Sequence, residues 1–305
     1  MLARIVISLF CLLSFTFTPL TTANARAVPN TDSPASFADL AEALLPTVVN
    51  ISSSQKIDES GNDFPDMPHF PPGSPFEDFF EDFLERRGGN GPAIPPASLG
   101  SGFVIDAENG YIITNYHVIK DADDVRVTFS DDSTVEAEII GRDEKMDLAV
   151  LKIEPTENLV AASFGDSDAM RVGDWVVAIG NPFGLGGTVT AGIISARQRD
   201  INAGPYDDFI QTDAYINRGN SGGPMFNTNG EVIGINTAIF SPSGGSVGIG
   251  FAIPSNLARP VITQLIEYGH TRRGWMGVRI QSVTEEIAES LGLDRSRGAL
   301  VASVT

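Results

Sequence analysis

Between residues 100 and 252 the sequence alternates short apolar, β-branched segments with turn residues, and little of it follows a helical period. Two connections, 106–110 and 227–230, have the composition of hairpin turns. Many short strands with little helix between them indicate an all-β sandwich or barrel. We predict strands at 102–105, 111–114, 125–129, 134–141, 148–153, 175–180, 189–196, 210–212, 224–226, 232–238 and 247–252.

Three further elements flank this region. A helix is predicted over 37–45 and is followed by a strand over 47–53. A second, amphipathic helix is predicted over 256–268, with Ser255 as its N-cap and Gly269 as its end. After 272 a new strand, helix and strand begin, and about 30 residues are too few to bury an independent core. The tail therefore either packs on the main domain or is the start of a truncated domain, and we expect the second.

The chain is acidic, and its charge limits the partners it can have. Its 305 residues include 20 Lys and Arg against 39 Asp and Glu, a formal net charge of −19. Phosphates would be repelled over most of such a surface, so nucleic acid is excluded as a partner. The length allows one large domain or two smaller ones.

The N-terminus has the layout of a secretory signal. Arg4 precedes an apolar run over 5–17, and the small residues of 23–27 follow it. We predict a signal peptide over 1–27, cleaved after Ala27 or, as the alternative, after Ala25. The apolar run is short against the roughly 20 residues that span a bilayer, so no stable membrane insertion is expected after removal. The one cysteine, Cys11, lies inside the signal, so the mature chain would contain no disulfide.

A Pro-, Gly- and acid-rich insertion of about 55–98 separates two predicted strands. Within it four phenylalanines fall at helical spacing with acidic residues between them: Phe76, Phe79, Phe80 and Phe83. This aromatic stripe could pack on its own domain or dock on another subunit. The residues alone leave both alternatives open.

Ser221 has the most specific setting for chemistry, the sequence Gly219-Asn220-Ser221-Gly222-Gly223-Pro224. Glycines around a serine let backbone amides approach a substrate carbonyl, and we assign the amides of Gly219 and Ser221 to an oxyanion hole. His117 follows a predicted strand and Asp147 precedes another, at positions that suit a base and the group that orients it. Asp143, further into the same polar turn, is the competing carboxylate.

The segment around Ser221 also satisfies Gly-x-Ser-x-Gly, the nucleophile elbow of α/β-hydrolases. That fold needs its histidine after the serine, and only His270, at the end of a predicted helix, follows. His69 lies in the acidic insertion. The order His117, Asp147, Ser221 is instead that of chymotrypsin-like proteases. Chain order and the all-β pattern therefore favour a serine endopeptidase over an esterase.

Four motifs in register resemble the HtrA (Deg, or Do-like) family of periplasmic serine endoproteases. They are Thr114-Asn115-Tyr116-His117-Val118, Asp147-Leu148-Ala149-Val150-Leu151, Asn217-Arg218-Gly219-Asn220-Ser221-Gly222-Gly223-Pro224 and Gly248-Ile249-Gly250-Phe251-Ala252-Ile253-Pro254. The resemblance implies a chymotrypsin-like double β-barrel over 36–268, followed by a partial PDZ domain over 272–305.

The same resemblance implies a periplasmic enzyme that degrades misfolded or unfolded polypeptides without ATP, cofactor or metal. Its minimal assembly would be a homotrimer, and the insertion would be a regulatory loop that reaches a neighbouring subunit. That favours an interface role for the phenylalanine stripe. The competing hypothesis is a chaperone or peptide-binding scaffold in which proteolysis is secondary.

Residues near the nucleophile predict specificity and control. Tyr215 replaces the aspartate of trypsin-like enzymes, and with Ile216, Ala238 and Ile239 as pocket walls it predicts a small aliphatic P1 residue. Because a hydrophobic pocket discriminates a methylene by only about 1–3 kcal/mol, this preference should be loose. Asn220 carries no charge that could pair with a new N-terminus, so activation by N-terminal cleavage is not expected. By resemblance, Arg199 would relay a regulatory signal.

Overall fold

A computed structural model describes residues 34–54, 98–182, 186–217, 219–240 and 246–304. The predicted signal peptide, nearly all of the acidic insertion and the phenylalanine stripe lie outside these ranges. The chain divides into two units, 1–37 and 38–305. Only 34–37 of the first is described, so the account below concerns the second.

The N-terminal half of the second unit is one antiparallel sheet of seven strands in the order β5-β4-β1-β2-β3-β7-β6. Strands near both edges, β4 and β7, bury apolar residues in the same core, so the sheet is strongly curved around it. The core includes Ile51, Ile112, Val127 and Leu151, all fully buried. The strands are β1 Val48–Ser54, β2 Ser98–Asp106, β3 Tyr111–Thr114, β4 Asp124–Thr128, β5 Thr134–Glu136, β6 Glu138–Asp143 and β7 Leu148–Lys152.

The C-terminal half is a closed six-stranded barrel in the order β10-β13-β12-β11-β8-β9. Closure leaves no free strand edge, and alternate residues of its strands fill the interior. Its core includes Val176, Ile194, Met225 and Ile233. The strands are β8 Trp175–Gly180, β9 Thr188–Arg199, β10 Phe209–Thr212, β11 Pro224–Phe226, β12 Val232–Ile239 and β13 Gly250–Pro254.

The described residues around these two halves include two α-helices, α1 at Ala38–Leu44 and α2 at Ser255–Tyr268. Gly269 ends α2 as predicted, in the left-handed conformation at φ 74° with its amide bonded to the Leu265 carbonyl. The predicted N-cap is wrong. Ser255 is the first helical residue, and its buried hydroxyl donates to the Gly165 carbonyl at 2.9 Å instead of capping the helix.

The predicted strands occur, but several of their bounds differ. β2 begins at Ser98 rather than at 102, and β9 ends at Arg199 rather than at 196. The segment predicted as one strand over 134–141 divides at Ala137, whose amide donates to the Val125 carbonyl at 2.9 Å. The last predicted strand begins at Gly250 rather than at 247. Both hairpin turns are confirmed, because Asp106 and Asn227 side chains accept the amides of the turns that follow them.

The tail forms a separate two-stranded sheet, β14 at Val278–Ser282 paired with β15 at Ala299–Val304. Between them lies α3 at Glu285–Ser290, whose N-cap Thr284 accepts the Ile287 amide. Among the described residues, no helix is both long and apolar enough to cross a membrane. The assignment of the tail to a PDZ domain stays a prediction, as do the domain boundaries.

Candidate active site

His117 and Asp147 meet at adjacent strand ends of the curved sheet. His117 lies in a 3₁₀ turn, Tyr116–Val118, directly after β3, and Asp147 immediately precedes β7. These two strands pair with Thr114 opposite Ala149, so the residues beyond that pair lie side by side. His117 Nδ1 is 2.7 Å from Asp147 Oδ2, and the His117 amide donates to Asp147 Oδ1 at 2.9 Å.

Asp147 adopts an unusual backbone conformation, with φ at 52° in the left-handed region. Aspartate tolerates this region better than most residues, which suits a position that must turn into a strand. Asn115, which is fully buried, stabilises the turn because its Nδ2 donates to the Asp147 carbonyl at 2.7 Å. The same amide donates to Thr237 Oγ1 at 3.1 Å and so connects the sheet to the barrel.

Ser221 lies between β10 and β11 of the barrel, in the position predicted for the nucleophile. Its Oγ donates to the Thr237 carbonyl at 3.4 Å. Within the described ranges no hydrogen bond joins it to His117.

The two amides assigned to the oxyanion hole are free to bind a substrate. Neither the Gly219 nor the Ser221 amide donates to a residue that the structure describes. Gly219 has φ 93°, and a Cβ there would collide with Pro182. Only glycine fits this position, for both backbone and steric reasons.

Asp143, the competing carboxylate, has another partner. Its side chain is 1% exposed, and Oδ2 lies 2.6 Å from Arg273 Nη1. Burial raises the pKa of Asp143, but hydrogen bonds from Arg273, Thr271 and the Met146 amide outweigh it and hold the pKa below its ordinary value. Asp143 is thus a buried ion-pair residue, and the role of Asp147 as the orienting group stays a prediction.

The comparisons with known proteins agree with this geometry. Residues 100–235 match the family of trypsin-like peptidase domains. The structure of AlgW, an HtrA-type protease with a tripeptide, superposes with a TM-score of 0.70 at 42% identity, covering 88% of this chain and 76% of that one. The chain belongs to the HtrA-type proteases. The expected resemblance and the chymotrypsin-like fold are thereby confirmed.

Curated relatives are also named as serine endoproteases. A "Probable periplasmic serine endoprotease DegP-like" from Brucella suis biovar 1 is 54% identical, with 93% of this chain aligned to 60% of the relative. A protein of the same name from Rhizobium meliloti is 49% identical, with 91% of this chain aligned to 58% of the relative. The chain thus spans about 60% of the length of these HtrA-type relatives.

The other histidines lie away from this chemistry. His270 is exposed and follows Gly269 at the end of α2. His69 lies outside the described residues. Ser221 sits in a loop between barrel strands rather than in a strand-to-helix elbow, so the structure agrees with an HtrA-type protease and not with an α/β-hydrolase.

The residues predicted to form the specificity pocket occupy different environments. Tyr215 is 53% exposed, whereas Ile216 is 1% exposed and belongs to the barrel core. Ala238 and Ile239 are half-buried at the end of β12. Ala238 also lines a cavity of about 390 Å³ that includes His117 and Asp147. The pocket assignment stays a prediction.

Arg199, the predicted relay, ends β9 and is exposed. Its Nε donates to Gln211 Oε1 at 2.9 Å, an interaction within the barrel wall. Gln198, the residue before it, has a left-handed φ of 56°. The regulatory role of Arg199 likewise stays a prediction.

Three residues that contact this site were not predicted from the sequence. Asn115 and Thr237 bridge the triad across the two halves, and Ser101 bonds the segment that carries the nucleophile. Asn115 could have been suspected from its place two residues before His117. Ser101 and Thr237 carry no comparable signal, because small hydroxyl residues are common in strands.

Proposed function

We propose that this chain is the proteolytic part of a periplasmic serine endopeptidase that degrades misfolded or unfolded proteins. The observation that carries the proposal is the pairing of His117 with Asp147 at 2.7 Å. Ser221 and two amides that have no partner among the described residues support it. Membership of the HtrA-type proteases supports it, as do the names of the curated relatives.

Each residue of the site has its own role in the proposed hydrolysis of a peptide bond. Asp147 holds the Nδ1 proton of His117, which leaves Nε2 as the base. Ser221 Oγ transfers its proton to Nε2 and attacks the scissile carbonyl carbon, and the Gly219 and Ser221 amides stabilise the resulting oxyanion. The imidazolium then protonates the leaving amine, and an acyl-enzyme forms. Water, deprotonated by the same imidazole, releases the acid and restores Ser221.

The finer expectations follow from the family and from the residues near Ser221. A small aliphatic P1 residue fits the replacement of a trypsin-like aspartate by Tyr215, and the loose preference suits unfolded chains. We propose a homotrimer as the minimal assembly, with the phenylalanine stripe at its interface. We also propose that a cleaved signal directs the protein to the periplasm.

The test is covalent labelling combined with cleavage of an unfolded protein. The wild-type chain, with an activating peptide present, should react with a fluorophosphonate probe and cleave casein. Ser221→Ala should lose both properties while keeping the wild-type melting temperature. A wild type that never labels, although folded, would contradict the assignment.

A second candidate is a chaperone or peptide-binding scaffold with secondary proteolysis. It is favoured by the exposed apolar residues of the tail, Trp275 at 88% and Met276 at 84%. Suppression of aggregation by Ser221→Ala at wild-type strength would show that both activities coexist. A Trp275→Ala, Met276→Ala variant should lose that suppression and keep casein cleavage.

A further inference from the structure

Ser101 in β2 connects the sheet to the segment that carries the nucleophile. It is fully buried, and its Oγ donates to the Gly219 carbonyl at 2.6 Å. The same Oγ accepts the Asn181 amide at 2.8 Å. The Ser101 amide donates to the Ser221 carbonyl at 2.9 Å, and its carbonyl accepts the Thr114 hydroxyl at 2.8 Å. Every polar group of Ser101 is therefore used.

Two of these bonds act on the peptide planes next to the oxyanion donors. The Gly219 carbonyl shares a plane with the Asn220 amide, which donates to the Asn217 carbonyl at 3.1 Å. The Ser221 carbonyl shares a plane with the Gly222 amide, which donates to the Asn236 carbonyl at 2.8 Å. Both planes are thus held at both ends, and one end of each is held by Ser101.

The Ser221 amide lies in the plane between these two, and the Gly219 amide lies in the plane just before them. Holding these two planes restricts the plane of the Ser221 amide from both sides and the plane of the Gly219 amide from one side. Such restriction matters most at Gly219, because its φ of 93° belongs to a region where glycine has wide freedom. A donor works only if it points at the oxygen position of the transition state.

The bond from the Asn181 amide to the Ser101 hydroxyl connects Ser101 to the segment on the other side of Gly219. Pro182, the next residue, is what a side chain at Gly219 would strike. Asn50 Nδ2 in β1 donates to the carbonyls of Asn181 at 2.9 Å and Pro182 at 3.2 Å. The Ser101 hydroxyl therefore connects the segment that packs against Gly219 to Gly219 itself.

We propose that Ser101 is a positioning residue for the oxyanion hole, one that acts through the Gly219 and Ser221 peptides and does not touch the substrate. This inference rests on the proposed serine-protease function. Because the oxyanion donors act on the transition state, losing the Ser101 hydroxyl should lower kcat and leave KM unchanged. Removing one oxyanion donor lowers kcat by about 10²–10³-fold. Misplacing the Gly219 and Ser221 amides without removing them should therefore lower kcat by roughly 10- to 100-fold.

The experiment measures kcat and KM of Ser101→Ala with a peptide anilide that has Val at P1. It also measures inhibition by the corresponding peptide aldehyde, whose tetrahedral adduct uses the oxyanion hole. The non-covalent comparison is a product peptide from the leaving-group side, which has no carboxylate at that position. We expect aldehyde affinity to fall by the same factor as kcat/KM, and product-peptide affinity to stay constant. The pH profile should keep its midpoint, because the His117–Asp147 pair is untouched.

The matched control is Ser255→Ala, which also removes a fully buried serine hydroxyl bonded to a glycine carbonyl. It should lower the melting temperature without changing kcat. Ser101→Thr, which keeps the hydroxyl, should restore most of kcat. If Ser101→Ala does not fold, Ser101→Cys replaces the hydroxyl with a weak donor of similar shape and should show the same loss of kcat.

Equal kcat in Ser101→Ala and Ser255→Ala would overturn the inference. A Ser101→Ala variant with a raised KM and an unchanged kcat would also overturn it. An equal fall in the affinities for the aldehyde and the product peptide would do the same. A wild type that a fluorophosphonate never labels would instead overturn the proposed function. A labelled wild type with an unaltered Ser101→Ala variant would overturn this inference alone.

Discussion

Both carboxylate oxygens of Asp147 bind the same residue, His117. Oδ2 lies 2.7 Å from the ring Nδ1, and Oδ1 accepts the backbone amide at 2.9 Å. The carboxylate thus fixes the ring and the turn that bears it. Because an ionised carboxylate only accepts, Nδ1 must carry a proton and Nε2 is left as the acceptor.

Asp147→Asn should reduce kcat by about 10⁴-fold with little change in KM. The asparagine has one acceptor oxygen, and if that oxygen stays on the His117 amide, its NH2 group faces Nδ1 and favours the wrong tautomer of His117. Steady-state kinetics on a peptide anilide checks this. Asp131→Asn, in an exposed turn, is the control and should behave as wild type, whereas normal turnover by Asp147→Asn would reject the role.

Asn115→Ala should lower both stability and kcat. It leaves the Asp147 carbonyl without the donor at 2.7 Å, and an unsatisfied buried group costs about 1–3 kcal/mol. The turn at Asp147 would also lose a restraint on its left-handed conformation. Urea denaturation and kinetics check the two effects. Thr237→Val removes the acceptor at 3.1 Å and the hydroxyl's own bond to the Ile235 carbonyl, but it keeps the bond from Asn115 to the Asp147 carbonyl. It should therefore lower kcat less than Asn115→Ala does, and an equal loss of kcat would argue against a role for that bond.

Gly219→Ala should abolish cleavage, because a Cβ would collide with Pro182 and force the oxyanion segment to move. Gly173→Ala is a matched control. Gly173 has a similar φ of 96° but nothing lies near the position of a Cβ. In both variants backbone strain should lower the free energy of unfolding by about 1–2 kcal/mol. Only Gly219→Ala should lose fluorophosphonate labelling. Retained labelling would contradict the steric argument.

Arg273→Met should destabilise the fold by about 3–5 kcal/mol, because it leaves the buried carboxylate of Asp143 without its cation. The control is Arg272→Met. Arg272 stacks on the exposed Tyr268 ring at 3.6 Å and has no part in the buried pair, so its loss should cost far less. Chemical denaturation of the two variants is the measurement. Equal losses would show that the Asp143–Arg273 pair contributes little.

The same pair predicts acid sensitivity. The pKa of Asp143 is lowered in the folded state, where hydrogen bonds from Arg273 and Thr271 outweigh the effect of burial. Its stabilising contribution is therefore complete above the unfolded value of about 3.9 and is lost as pH falls through the lower folded pKa. Unfolding free energy between pH 6 and 2.5 should fall less steeply for Asp143→Asn than for wild type. Parallel curves would contradict the linkage.

Local sequence was sufficient for most strands, and it placed His117 and Asp147 at the strand ends where they meet. Apolar alternation placed β3 and β8 at their observed ends, and chain order separated the protease from the α/β-hydrolase. Prediction was weaker where a local preference competes with a tertiary partner. Ser255 is a good N-cap by composition, yet its hydroxyl bonds to Gly165, which lies 90 residues away in sequence. The interruption at Ala137 depends similarly on its bond to Val125.

By itself, the sequence determined which residues can perform the chemistry: a glycine-flanked serine, one histidine at a strand end and a carboxylate at the mouth of an apolar strand. Only the tertiary structure decided between Asp143 and Asp147, because both lie in one turn and burial with Arg273 removes the first from the site. It also decided which small polar residues matter. Ser101, Asn115 and Thr237 act through hydrogen bonds between segments distant in sequence, and such partners exist only once the sheet and the barrel are formed.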